Sequence, residues 1–182
     1  GPLIGTTLVE PGADVKWRVP AAELETDWRV PEFSDAAWSA GKSGIGFGYS
    51  ELTGDGGDVA SAMKGINASI YIRFHFDVPK PEDVLSMTMR LKFEDGFIAY
   101  LNGNLIAAGN ALAEEEVTFD ASATQSRSDT LALQYTPFEV NFSGLLRPGK
   151  NILAFQAMNF SPHGSDLILS PELSAELVNL TS

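Results

Sequence analysis

From Leu85 to Phe93 every second residue is apolar: Leu85, Met87, Met89, Leu91 and Phe93 alternate with Ser86, Thr88, Arg90 and Lys92. A period of two marks a strand with one face on a core and the other in water. Ile70 to Val78 alternates as strictly, with Tyr71, Arg73, His75 and Asp77 on the second face, and Pro79 and Pro81 end it. Asn102-Gly103 separates the apolar runs Phe97 to Leu101 and Leu105 to Ala108, and Asn-Gly between such runs predicts a two-residue hairpin turn. Asp95-Gly96 and Gly109-Asn110 then share one edge of the sheet, where loops on a rigid scaffold commonly carry function.

Further strands are predicted over Thr6 to Glu10, Val15 to Val19, Thr130 to Tyr135, Phe138 to Phe142, Ile152 to Met158 and Leu173 to Leu180. Phe97 to Leu101 and Ile152 to Met158 are apolar on both faces, as expected of strands covered on both sides. Helix is confined to single turns at Ala21 to Thr26 and Ser34 to Ser39. Two long connections remain, Gly41 to Ala68 with eight glycines and no convincing strand, and the polar Gly109 to Thr130. Loops of that length are functional or mobile in most compact domains. The pattern defines one all-β domain over residues 1–182, an antiparallel β-sandwich or barrel.

Charge narrows the partners. Twenty-four acidic against 12 basic residues give a net charge of −12, which opposes nucleic acid and anionic membrane surfaces. The acids are spread along the chain, as on a solvated surface, and the run Glu114-Glu115-Glu116 reads the same way. The absence of cysteine removes disulfides, thiolate catalysis and cysteine-bound zinc. No apolar run approaches the roughly 20 residues that span a bilayer, and no secretory signal is written in the sequence. Gly1-Pro2 resembles the remnant of a removed tag, so the domain is expected to be a piece of a larger multimodular protein. The sequons at Asn67, Asn141, Asn159 and Asn179 matter only in a host that glycosylates.

Four segments resemble a known family in order and spacing: WRVPEFSDAAWSAGKSGIGFGY at Trp28 to Tyr49, YIRFHFDV at Tyr71 to Val78, FEDGFIAYLNGNLIAAGN at Phe93 to Asn110, and LLRPGKNILAFQAMNFSPHGSDLILSPEL at Leu145 to Leu173. Together they are similar to the galactose-binding-like jelly-roll domains found at the N-terminus of β-galactosidase-type glycoside hydrolases and as accessory modules of exported bacterial proteins. Glu94 stands where the accessory modules often carry a first Asp. The resemblance implies a jelly-roll sandwich, glycan recognition by loops at one end, a nearby structural calcium, and a secreted or cell-surface parent.

Sugars are held by aromatic faces together with a few placed amides and carboxylates. Phe47 and Tyr49 of the glycine-rich loop are the candidate stacking faces, whereas Trp38 and Phe33 read as core plugs. Asn110, Asn159, His163 and Asp166 are expected to meet near Asp95. Such a rim suits sugar hydroxyls, and Asp95 with Asp166 suits calcium. The competing role is structural: the two amides bond loop backbone and Asp166 caps a turn. Asp55 to Asp58 lacks the remaining ligands of a helix-loop-helix calcium site. Arg73 is expected either exposed or buried against a carboxylate such as Asp95 or Glu94, organising the loop edge.

Neither His75 nor His163 belongs to a metal-ligand spacing or a nucleophile elbow, and no carboxylate pair stands out for glycoside hydrolysis. A non-catalytic, monomeric carbohydrate-binding module is therefore expected, taking polysaccharide or oligosaccharide. The second reading is a structural or adhesive spacer whose partners are neighbouring domains of its parent. An exposed aromatic platform favours the first; an apolar patch near the chain ends favours the second.

Overall fold

The computed structural model describes residues 3–113 and 117–178. Gly1-Pro2, Glu114 to Glu116, the Asn179 sequon and the last residues of the strand expected to reach Leu180 lie outside the described residues. The strands in chain order are β1 Leu3–Val9, β2 Asp14–Arg18, β3 Ser39–Lys42, β4 Ile45–Phe47, β5 Ser69–Val78, β6 Val84–Glu94, β7 Gly96–Leu101, β8 Asn104–Gly109, β9 Thr136–Glu139, β10 Gly149–Met158 and β11 Leu167–Val178. Two one-turn helices, α1 Ala60–Met63 and α2 Asp129–Ala132, complete the elements used below. No helix among the described residues is long and apolar enough to cross a membrane.

Two antiparallel sheets form the expected sandwich. One runs β1-β11-β6-β9 with β4 also on β11, and the other runs β3-β2-β5-β10-β7-β8. The alternation in β5 and β6 aims Ile70, Ile72, Phe74, Phe76 and Val78 at Met87, Met89, Leu91 and Phe93 in one core. Asn102 at φ 50° and Gly103 at φ 90° turn β7 into β8, so the Asn-Gly hairpin forms where expected.

β7 and β10 are apolar on both faces because a third layer covers the six-stranded sheet. Trp28, Trp38, Tyr71, Ile98, Tyr100, Ile152, Ala154 and Met158 form a second apolar cluster on its outer side, with Phe33, Val117 and Phe119 packed against it. Trp28 stacks on Tyr71 with ring centroids 4.0 Å apart. The connection between β2 and β3 and the Gly109 to Thr130 connection thus serve as a cover, and Trp38 and Phe33 are the packing residues the sequence predicts.

Arg73 fastens that cover. It is fully buried, and its Nε donates to Asp35 Oδ2 at 2.9 Å. Its Nη1 donates to the carbonyls of Trp28 and, at 3.0 Å, Val30, and Nη2 reaches the Phe33 carbonyl at 3.2 Å. His75 Nε2 lies 2.7 Å from the same Asp35 oxygen. Burial pushes the Asp35 carboxyl up, but the hydrogen bonds and charges of Arg73 and His75 outweigh it and hold the group below its ordinary value. A buried ion pair organises a loop as expected, with Asp35 as partner in place of Asp95 or Glu94.

Three local expectations fail. Ala21 to Thr26 and Ser34 to Ser39 form turns and bends, and Ser39 already begins β3. Thr130 to Tyr135 contains the end of α2, because Ser128 Oγ accepts the Leu131 N–H at 3.3 Å and caps that turn. The glycine-rich segment holds β4, α1 and part of β3, packed tightly. A Cβ at Gly46 would stand 2.0 Å from the Leu167 carbonyl oxygen, so glycine is what lets these backbones meet.

Candidate functional site

β7 starts at Gly96 and β10 stops at Met158, and the two are paired, so Asp95 and Asn159 emerge at the same edge of the six-stranded sheet. Phe97 pairs with Gly109, which brings Asn110 there too. Asp95 is buried and braces this edge: Oδ1 accepts the Arg127 N–H at 2.8 Å and Oδ2 accepts the Phe160 N–H at 2.9 Å. Asn110 Nδ2 donates to the Asp95 carbonyl at 2.9 Å, and Asn110 Oδ1 accepts from Gln125 Nε2 at 2.6 Å. Buried Asn159 accepts the Phe160 N–H at its own Oδ1 at 3.0 Å, and its carbonyl accepts the Ala123 N–H at 2.9 Å. Both amides therefore bond loop backbone, the structural role weighed for them above.

The aromatic residues require correction. Phe47 is buried in the main core and Tyr49 is only 5% exposed, so neither offers a ring face to a sugar. Tyr49 packs with Ile168, Ala132 and Leu52. Phe160 is the aromatic that stands out at this edge, at 52% exposure, with its backbone held by Asp95 and Asn159. His163, exposed, follows in the same loop, its N–H held by Ser161 Oγ at 3.1 Å. The missed signal is a lone large aromatic in the otherwise small and polar run Asn159 to Asp166.

Beside this rim, on the outer face of the other sheet, Glu94, Asp129 and Asp166 bring carboxylate oxygens within 4.8 Å of one another and could hold a metal ion. Ile168 pairs with Glu94 across β11 and β6, and capped α2 delivers Asp129. Tyr49 donates its hydroxyl to buried Glu94 Oε2, and the same hydroxyl lies 3.1 Å from Asp129 Oδ1. Burial, then hydrogen bonding to Asp166 and Asp129 and repulsion from Asp166 and Asp95, push the Glu94 carboxyl up to about 10. Without a cation the cluster thus keeps a proton on Glu94. The donor set, three carboxylates and a phenol oxygen, suits a hard cation. Asp166 belongs to this cluster as expected. Asp95 does not, since both its oxygens are committed to backbone N–H groups.

No family model and no curated protein matches the chain. Among solved structures it is similar to Bacteroides uniformis β-glucuronidase 2 (15% identity, TM-score 0.57), covering 96% of this chain and 18% of that one. It is similar also to a β-glucuronidase from an uncultured Clostridium sp. (12%, TM-score 0.54, 95% and 29%) and to that of Ruminococcus gnavus (11%, TM-score 0.55, 98% and 30%). The chain thus spans less than a third of each of these enzymes, and at these identities the likeness shows the fold.

Proposed function

We propose that this chain is a non-catalytic carbohydrate-binding domain of a larger exported or cell-surface protein, and that it takes glycan at the rim built around Phe160. The observation that carries the reading is the exposed Phe160 ring, fixed through its backbone by Asp95, at the edge where Asn110 holds Gln125 and in the same loop as exposed His163. An aromatic face on a preorganised loop with amide and imidazole groups beside it is the chemistry sugars require. The fold likeness to sugar-processing enzymes, over a share of their length that suits one domain, supports a role beside a catalytic partner. The domain works as a monomer in this reading. Glu94, Asp129 and Asp166 would hold a structural calcium ion that replaces the Glu94 proton and stiffens the adjoining edge.

Affinity electrophoresis against a panel of soluble polysaccharides, with wild type and Phe160→Ala side by side, tests this. The reading expects a retarded wild type and a freely migrating variant; retardation of neither protein, or of both equally, removes the Phe160 rim as a glycan site.

One observation favours the spacer reading as a second possibility. Leu3, Ile4 and Leu85 are 55%, 44% and 51% exposed, and the register Ile4 to Leu177 to Val84 puts them at one end of the five-stranded sheet. That end would dock on a neighbouring domain.

A further inference from the structure

The cover over the six-stranded sheet leaves a cavity of about 370 Å³ near the β7–β8 turn, at the other end of that hairpin from the Phe160 rim. Its size falls within the ordinary range of small-molecule sites. Buried Trp28, Tyr71, Tyr100 and Gln156 are among the residues that line it. Tyr71 is 2% exposed, has its ring clamped against Trp28 and lines the cavity. Gln156 spends both amide protons, on Ser69 Oγ at 3.0 Å and the Thr118 carbonyl at 2.9 Å, and so offers only its carbonyl oxygen. Three exposed carboxylates stand at the same cavity, Glu23, Glu25 and Asp27. Glu23 uses Oε1 to accept the Phe119 N–H at 2.8 Å and keeps Oε2.

The strong donor of the cavity is already engaged. Arg29 makes a two-pronged pair with Asp27, at 2.8 and 3.1 Å, and lies over the Tyr100 ring at 4.8 Å. That pair cancels its own charge, which leaves the cavity acceptor-rich and negative through Glu23 and Glu25, on a chain whose net charge is −12. Anionic ligands are repelled by this charge. We infer that this cavity binds a primary-amine ligand of amino-sugar size, its ammonium protons taken by Glu23, Glu25 and the Gln156 carbonyl, with the Tyr71 hydroxyl bonding a ring oxygen or hydroxyl. The site stands apart from the Phe160 rim and does not depend on it.

Calorimetric titration of the protein with glucosamine, N-acetylglucosamine and putrescine tests the inference. Glucosamine is expected to bind and N-acetylglucosamine, which lacks the charge, to bind at least about tenfold more weakly, the scale of a lost charged hydrogen bond. Putrescine binding as well as glucosamine would support ammonium recognition and identify a free amine as the ligand, whereas weaker putrescine binding would identify the amino sugar. Glu23→Gln with Glu25→Gln should lose the preference while Phe160→Ala keeps it, and added salt should weaken binding in the wild type. Tyr71→Phe, which leaves the clamped ring in place, should weaken glucosamine more than putrescine. Equal binding of N-acetylglucosamine, binding unchanged in the double variant, or no binding of either amine would overturn the inference.

Discussion

Tyr49 and Glu94, 45 residues apart in sequence, meet on the buried outer face of the five-stranded sheet, where the phenol donates its proton to the carboxyl. The contact turns a residue that reads as a sugar platform into a piece of framework. Tyr49→Phe keeps the packing against Ile168 and Ala132 but leaves the Glu94 oxygen short of a donor. It should cost about 1–3 kcal/mol, the price of an unsatisfied buried polar group, in urea unfolding at neutral pH. Glycan binding at the Phe160 rim should be unchanged in the same variant.

The proton on Glu94 sets a pH dependence. Its folded value, about 10, lies above the ordinary carboxylate range, so between those limits the folded state holds a proton that the unfolded chain has released. In chelator, this group's contribution is fully present below about pH 4 and is lost as pH rises toward 10. Thermal unfolding across that range should show a falling midpoint, flattened in Glu94→Gln. A midpoint in wild type that ignores pH once the other carboxylates have titrated would contradict the protonated cluster.

Calcium and the proton compete for the same oxygens. Added calcium should raise the unfolding midpoint more at pH 9 than at pH 6, and Asp166→Asn should abolish most of the rise. An equal effect in wild type and variant would place any bound ion elsewhere.

Arg73 gathers three loop carbonyls and Asp35 while fully buried. Removing it strands a carboxylate together with those carbonyls. Arg73→Met should cost about 3–5 kcal/mol, the usual consequence of breaking a buried pair from one side. Chemical denaturation measures it, and increased near-ultraviolet mobility of Trp28 and Trp38 should accompany it.

The parts legible in the sequence are those governed by neighbours along the chain. The alternation of β5 and β6 and the Asn102-Gly103 turn need only local period and backbone preference, and together they bring Asp95, Asn110 and Asn159 to one edge. β3 and β4 were hidden because Ser39–Lys42 and Ile45–Phe47 are too short and too rich in glycine to show a period; their pairing depends on remote β2 and β11. The burial of Tyr49 depends on Glu94, Ala132 and Ile168, none of which is near it in sequence. The same distance concealed Asp35 as the partner of Arg73. Phe160 was legible as the one large aromatic in its polar loop, but the exposure of its ring depends on Asp95, which holds its backbone from 65 residues away.

The central claim is that Phe160 presents a glycan-binding face. An NMR titration of the domain with an oligosaccharide that retards it, read at the Phe160 ring protons and the Gln125 side-chain amide, tests this most directly. Saturable shifts at both groups, absent from the Tyr49 ring, are what this account predicts. Saturable binding that leaves Phe160 and Gln125 unmoved would contradict it.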